Sequence, residues 1–82
     1  MKYSYTPRGV CSRQIDFDVE DGIVHGISFY GGCNGNLQGI GRLAEGRSVD
    51  EVISLLRGIR CGMKPTSCPD QLARALEAAK EG

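Results

Sequence analysis

Four cysteines in 82 residues carry most of the chemistry this chain can offer. Each falls at a seam between elements. Cys11 precedes a strand pattern, and Cys33 lies in the run Gly31-Gly32-Cys33-Asn34-Gly35-Asn36. Cys61 follows Leu56-Arg57-Gly58-Ile59-Arg60, and Cys68 sits in Thr66-Ser67-Cys68-Pro69-Asp70. A cysteine used as a small hydrophobe belongs inside a strand or helix face. Thiols at turns, beside glycine and proline, fit ligands or redox groups better.

Zinc is the first chemistry to weigh. It favours a tetrahedron of thiolates, and such sites staple small domains. The spacing alone does not specify one: 21 residues separate Cys11 from Cys33, 27 separate Cys33 from Cys61, and six separate Cys61 from Cys68. No C-x2-C knuckle is present. The single histidine, His25, lies in a strand pattern and reads as an ordinary strand residue. Redox work is the second chemistry. Cys33 and Cys68 each precede a helix pattern, where free N–H groups and the helix dipole favour a thiolate. Anion binding is the third. Gly32, Asn34, Gly35 and Asn36 lead into a helix and can offer N–H groups to the phosphate of a nucleotide. The run matches neither the P-loop nor a full G-x-G-x-x-G. The plain alternative is four buried thiols that share no site. Arg42, Arg47, Arg57 and Arg60 read as a solvated face.

The elements that must position these residues form two groups. Cys11, Arg13, Ile15, Phe17 and Val19 share one parity, and Ser12, Gln14, Asp16, Asp18 and Glu20 the other. That alternation predicts a strand with one wet face. Asp21-Gly22 makes a tight turn into a second strand, Ile23 to Tyr30, with Ile23, His25, Ile27 and Phe29 on one face. Tyr3 to Thr6 adds a short edge strand that Pro7 ends. A loop over 31–36 follows. Leu37, Ile40, Leu43 and Ala44 then recur at helical spacing. Gly39 and Gly41 weaken that helix and allow close packing. Ser48-Val49-Asp50-Glu51 reads as a capping box for a second helix, with Val49, Val52, Ile53, Leu56 and Ile59 as its buried stripe. Pro69 and Asp70 suit the first turn of a third helix, which packs through Leu72, Ala75, Leu76 and Ala79. The expected fold class is α+β: a small antiparallel hairpin or three-stranded meander, then three short helices on one face, in a single domain over 1–82.

Composition narrows the partners. Ten lysines and arginines balance ten aspartates and glutamates, which argues against a general electrostatic grip on nucleic acid or an anionic membrane. No apolar run approaches a membrane span, and no signal-peptide pattern opens the chain. A cytoplasmic setting is expected, where thiols stay reduced and stable disulfides are rare. The exposed sheet edge offers a route to a homodimer.

The motif Thr66-Ser67-Cys68-Pro69-Asp70, with Gly31 to Leu37 and Leu56 to Gly62 upstream, resembles the TSCPD domain family over about Tyr5 to Leu76. The chain looks like a small stand-alone bacterial member. A related domain lies near the C-terminus of adenosylcobalamin-dependent ribonucleotide reductases. The resemblance implies a link to ribonucleoside-diphosphate reductase and deoxynucleotide synthesis, and it implies metal-ligand roles for Cys11, Cys33, Cys61 and Cys68. By analogy with reductase tails, Cys61 and Cys68 are candidates for a thiol relay passing electrons to a reductase. The large α/β barrel of a reductase does not fit in 82 residues, so no catalytic residue is assigned. The expected role is an accessory or binding domain, with zinc as cofactor and a reductase, a nucleotide or a second copy as partner.

Overall fold

The computed structural model describes residues 1–10, 12–32, 34–60 and 62–81. Three strands come first: β1 (Lys2–Tyr5), β2 (Gln14–Glu20) and β3 (Ile23–Tyr30). Three helices follow: α1 (Asn34–Ala44), α2 (Val49–Leu56) and α3 (Cys68–Glu81). The strands pair antiparallel in the order β1-β2-β3, so the α+β meander expected from the sequence is the fold observed.

The β2–β3 turn forms because two consecutive residues accept positive φ: Asp21 at 52° and Gly22 at 76°. That geometry matches the right-handed twist of a hairpin. Further along, the register shifts. Asp16 faces Ser28 but Asp18 faces His25, so Phe17 opposes both Gly26 and Ile27. Gly26 takes φ 61° in this bulge, a conformation glycine adopts without a Cβ penalty. The bulge corrects the single face expected for Ile23, His25, Ile27 and Phe29. Val24 is buried on the core side with the half-buried Ile27 and Phe29, while His25 is exposed. The β2 pattern also starts later than expected. Ser12 is buried and Arg13 exposed, so the alternation holds only from Gln14 onward.

The core lies between the sheet and α1–α3. Ile15, Phe17 and Val24 from the sheet meet Ala44, Val49, Val52, Leu72 and Leu76 from the helices. Tyr3 stacks on Phe17 with ring centroids 5.4 Å apart. The opposite sheet face is wet, as its carboxylates suggested. Asp16 accepts from Ser4 Oγ at 2.6 Å and Gln14 Nε2 at 2.8 Å, and the N-terminal amine pairs with Asp18 at 2.8 Å.

The chain after α1 runs along the outer edge of β3. Gly46 N–H donates to Val24 O and Val24 N–H to Arg47 O, both at 2.9 Å. Ser48 then caps α2 by accepting from Glu51 N–H at 3.1 Å. The expected box closes on one side only, because the Glu51 carboxylate goes to Arg47 at 3.0 Å. Two stripe assignments also change. Leu43 is 72% exposed and Ile59 41%; Gly41 is buried in the place expected for Leu43.

The two α1 glycines differ in consequence. A Cβ on Gly41 would sit 3.3 Å from Ile27 O of β3, whereas one on Gly39 meets nothing within 4 Å. Alanine gains up to about 1 kcal/mol over glycine inside a helix. Gly39→Ala therefore raises the urea midpoint of unfolding. Gly41→Ala fails to, because a strand carbonyl must shift to admit it. Equal gains from both would show that α1 does not pack tightly on β3.

Candidate functional site

The start of α3 is built by side chains that bond to backbone. Ser67 Oγ accepts from Asp70 N–H at 3.2 Å and donates to Ile59 O at 2.6 Å. It thus caps α3 and holds the chain that leaves α2. Asp70 is fully buried. One carboxylate oxygen accepts from Gly58 N–H at 2.7 Å; the other accepts from Arg74 Nε at 2.9 Å and from Thr66 Oγ1. Burial pushes the Asp70 carboxyl up, but the hydrogen bonds from Thr66, Gly58 and Arg74, with the Arg74 charge, outweigh it and hold the group below the usual carboxylate range. Gln71 extends the joint to the N-terminal segment. Its Nε2 donates to Thr66 Oγ1 at 2.9 Å, and its Oε1 accepts from Arg8 N–H at 3.1 Å and Tyr5 OH at 3.4 Å. Four of the five motif residues therefore have structural work: Thr66, Ser67 and Asp70 through hydrogen bonds, and Pro69 in the first helical turn.

The fifth, Cys68, is the first residue of α3 and is a free, half-buried thiol. Its sulfur lies 3.2 Å from Ser12 Oγ. Cys68 also faces a cleft of about 580 Å³ between the start of α1, the segment after α2 and the start of α3. Val10, Leu37, Ile40, Ile59 and Pro69 make its walls mostly apolar, with Arg60 and Lys64 as its cations.

The sequence singled out further residues. Cys11, Cys33 and Cys61 lie outside the described residues. Val10 and Arg60, next in sequence to Cys11 and Cys61, line the cleft that Cys68 faces, and so does Gly35, two residues beyond Cys33. Among the described residues no group of three or more metal-binding side chains occurs. Of the anion-binding candidates, Gly35 and Asn36 line the cleft. Gly32, at φ 81°, precedes α1. The expected loop is shorter than 31–36: Asn34, Gly35 and Asn36 already belong to α1. His25 stays apart as an ordinary strand residue, its Nδ1 2.6 Å from Glu45 Oε2. The Gly26 N–H, and then His25, hold the Glu45 carboxyl below its ordinary range.

Sequence reasoning missed Ser12 and the clasp around Asp70. Ser12 gave no signal, since its partner is 56 residues away. The clasp did give one: Ser67 and Asp70 stand three apart, the spacing of a cap with an acidic side chain at its third helical position.

A small α+β domain, with its helices on one sheet face and a cysteine-bearing cleft at the helix ends, is the class this geometry defines. The chain belongs to the TSCPD domain family, whose model matches residues 1–80. No curated protein and no solved structure matches it. No helix among the described residues is long and apolar enough to cross a membrane.

Proposed function

We propose that this chain is an accessory binding domain related to ribonucleoside-diphosphate reductase, and that Cys11, Cys33, Cys61 and Cys68 together hold a zinc ion at the cleft. The TSCPD domain is associated with ribonucleotide-reductase-like proteins, which supports the first part. One observation supports the second: Cys68 lines one cleft with Val10 and Arg60, next in sequence to Cys11 and Cys61, and with Gly35, two residues beyond Cys33. Four thiols also suit the metal's preference for soft donors. Bound there, zinc would supply a structural tie between the N-terminal segment, α1 and α3. Ser12 Oγ would orient the Cys68 sulfur, as outer hydrogen bonds do for metal ligands.

Metal analysis of protein purified without chelator tests this reading. The expected result is about one zinc per chain, by the four-thiolate stoichiometry, with loss in Cys33→Ser and in Cys68→Ser. Metal-free protein with an intact fold would sink it. A second reading, nucleotide binding, draws on Gly35 and Asn36 sharing the cleft with Arg60 and Lys64. Calorimetry with a nucleotide panel would show heat that Arg60→Ala removes; no heat with any nucleotide rejects it.

A further inference from the structure

We propose that the end of the molecule around the Cys68 cleft binds the phosphate backbone of a single-stranded nucleic acid laid across that cleft. The whole chain has zero formal charge, but its charges are not evenly placed. Two segments meet the start of α3. Residues 7–13 reach it through Arg8 N–H, which donates to Gln71, and through Ser12 Oγ, 3.2 Å from the Cys68 sulfur. Residues 57–64 reach it through Gly58 N–H, which donates to Asp70, and through Ile59 O, which accepts from Ser67. These segments carry Arg8, Arg13, Arg60 and Lys64, all exposed. Among the described residues, no ion pair or hydrogen bond engages any of those four side chains. The stretches 7–13, 31–44 and 57–70 contain one carboxylate, Asp70, which is buried and bonded to Arg74. Arg57 is matched by Glu77 at 3.2 Å. This end therefore holds a surplus of positive charge that the rest of the chain balances.

The acidic residues of the β2–β3 turn do not cancel this surplus. Arg13 N–H bonds to Tyr30 O at the far end of β3. At about 3.3 Å per residue, the eight residues of β3 set the turn roughly 20 Å away. Salt screens exposed charges beyond about 10 Å. Placement selects the partner. Arg60 and Lys64 line the cleft from the segment after α2. Arg8 and Arg13 flank Val10, which lines it from the N-terminal segment. A chain with a charge on every nucleotide meets cations on both segments, and a lone phosphate does not. Three of the four are arginines, whose planar fork pairs with phosphate oxygens. Between them the mostly aliphatic cleft of about 580 Å³ can admit a base that a single strand leaves unpaired. No aromatic ring lines it, so stacking adds little and recognition is by charge, without base preference. The proposal depends neither on zinc nor on the binding of a free nucleotide.

Fluorescence anisotropy of a labelled oligothymidylate of about 20 nucleotides, long enough for a single-domain site, tests this on the full chain. Four phosphate contacts give a slope of about −3 for log affinity against log salt. Binding then weakens roughly 50-fold between about 50 and 200 mM salt. Arg13→Ala and Lys64→Ala, one from each segment, each reduce the slope by about 0.7. Each also weakens binding alike on thymidylate and on a mixed sequence. Both positions are exposed, and circular dichroism confirms that each variant keeps its fold. Absence of binding at micromolar protein and about 50 mM salt overturns the proposal. So does a salt slope that both variants leave unchanged. A matched duplex or poly-glutamate that binds as tightly as the single strand overturns it too. Thymidine monophosphate binding equally well does the same, and favours the free-nucleotide reading instead.

Discussion

Replacing Asp70 with alanine lowers the unfolding free energy by roughly 2–4 kcal/mol, the cost of leaving charge-assisted buried hydrogen bonds unmade. A domain of this size has only about 4–12 kcal/mol in all, so the loss takes a large share. The reason is local. Gly58 N–H and the Thr66 hydroxyl, both donors to Asp70, are left without their acceptor. Arg74 suffers least, since it is half exposed and water can replace its partner. Urea denaturation measures the loss directly. A change below about 1 kcal/mol, the range of ordinary surface substitutions, would show that the joint is dispensable.

The same carboxylate gives a pH signature. Its folded-state pKa lies below the ordinary value of 3.8. The stabilisation is therefore complete above the unfolded pKa and is lost as pH falls through the folded one. In Asp70→Asn that component is absent at every pH. The stability gap between wild type and Asp70→Asn should be constant above about pH 5 and shrink progressively below about pH 4. Asp16, Asp18 and Glu45 are also held low, but they titrate alike in both proteins and cancel in the difference. A gap that widens in acid would contradict the assignment of Asp70 as an ionised acceptor.

Chelation has the second large expected effect. A metal whose free concentration is about a thousand times its dissociation constant stabilises the folded state by about 4 kcal/mol. Each kcal/mol moves the midpoint of a domain this size by roughly 4–8 °C. Removing the proposed zinc should then lower the melting temperature by roughly 15–30 °C on those two figures. Cys68→Ser should melt near the chelated wild type and respond little to chelator. Identical melting curves with and without a strong chelator would count against a structural zinc and favour free thiols.

Fold class was legible because its signals are local. The Asp21-Gly22 turn, the period change after Gly31 and the Ser48 cap each announce an element boundary within a few residues. What failed was phase. An extra residue at Gly26 cannot be seen in an alternation count, because the bulge exists only relative to β2. The helical stripes failed at Leu43 and Ile59 for a related reason. Periodicity identifies apolar positions without saying whether the partner for a given face lies in the same chain. For the candidate site, the sequence located Cys68 and its turn but not the joint that holds it. Ser67, Asp70 and Gln71 act on Ile59, Gly58 and Arg8, and no spacing rule spans those separations.

That joint also orders events in time. Gln71 receives hydrogen bonds from Arg8 and Tyr5, 63 and 66 residues earlier in the chain. At about 5–20 residues per second of synthesis, the ribosome needs roughly 3–13 s to cover that stretch. The β hairpin can close as it emerges, but the first strand and the last helix cannot meet until translation of α3 is under way. Cys11 and Cys33 are thus made seconds before the last wall of their proposed common cleft. The four-cysteine zinc site proposed above would likewise be complete only once Cys68, at the start of α3, has been made.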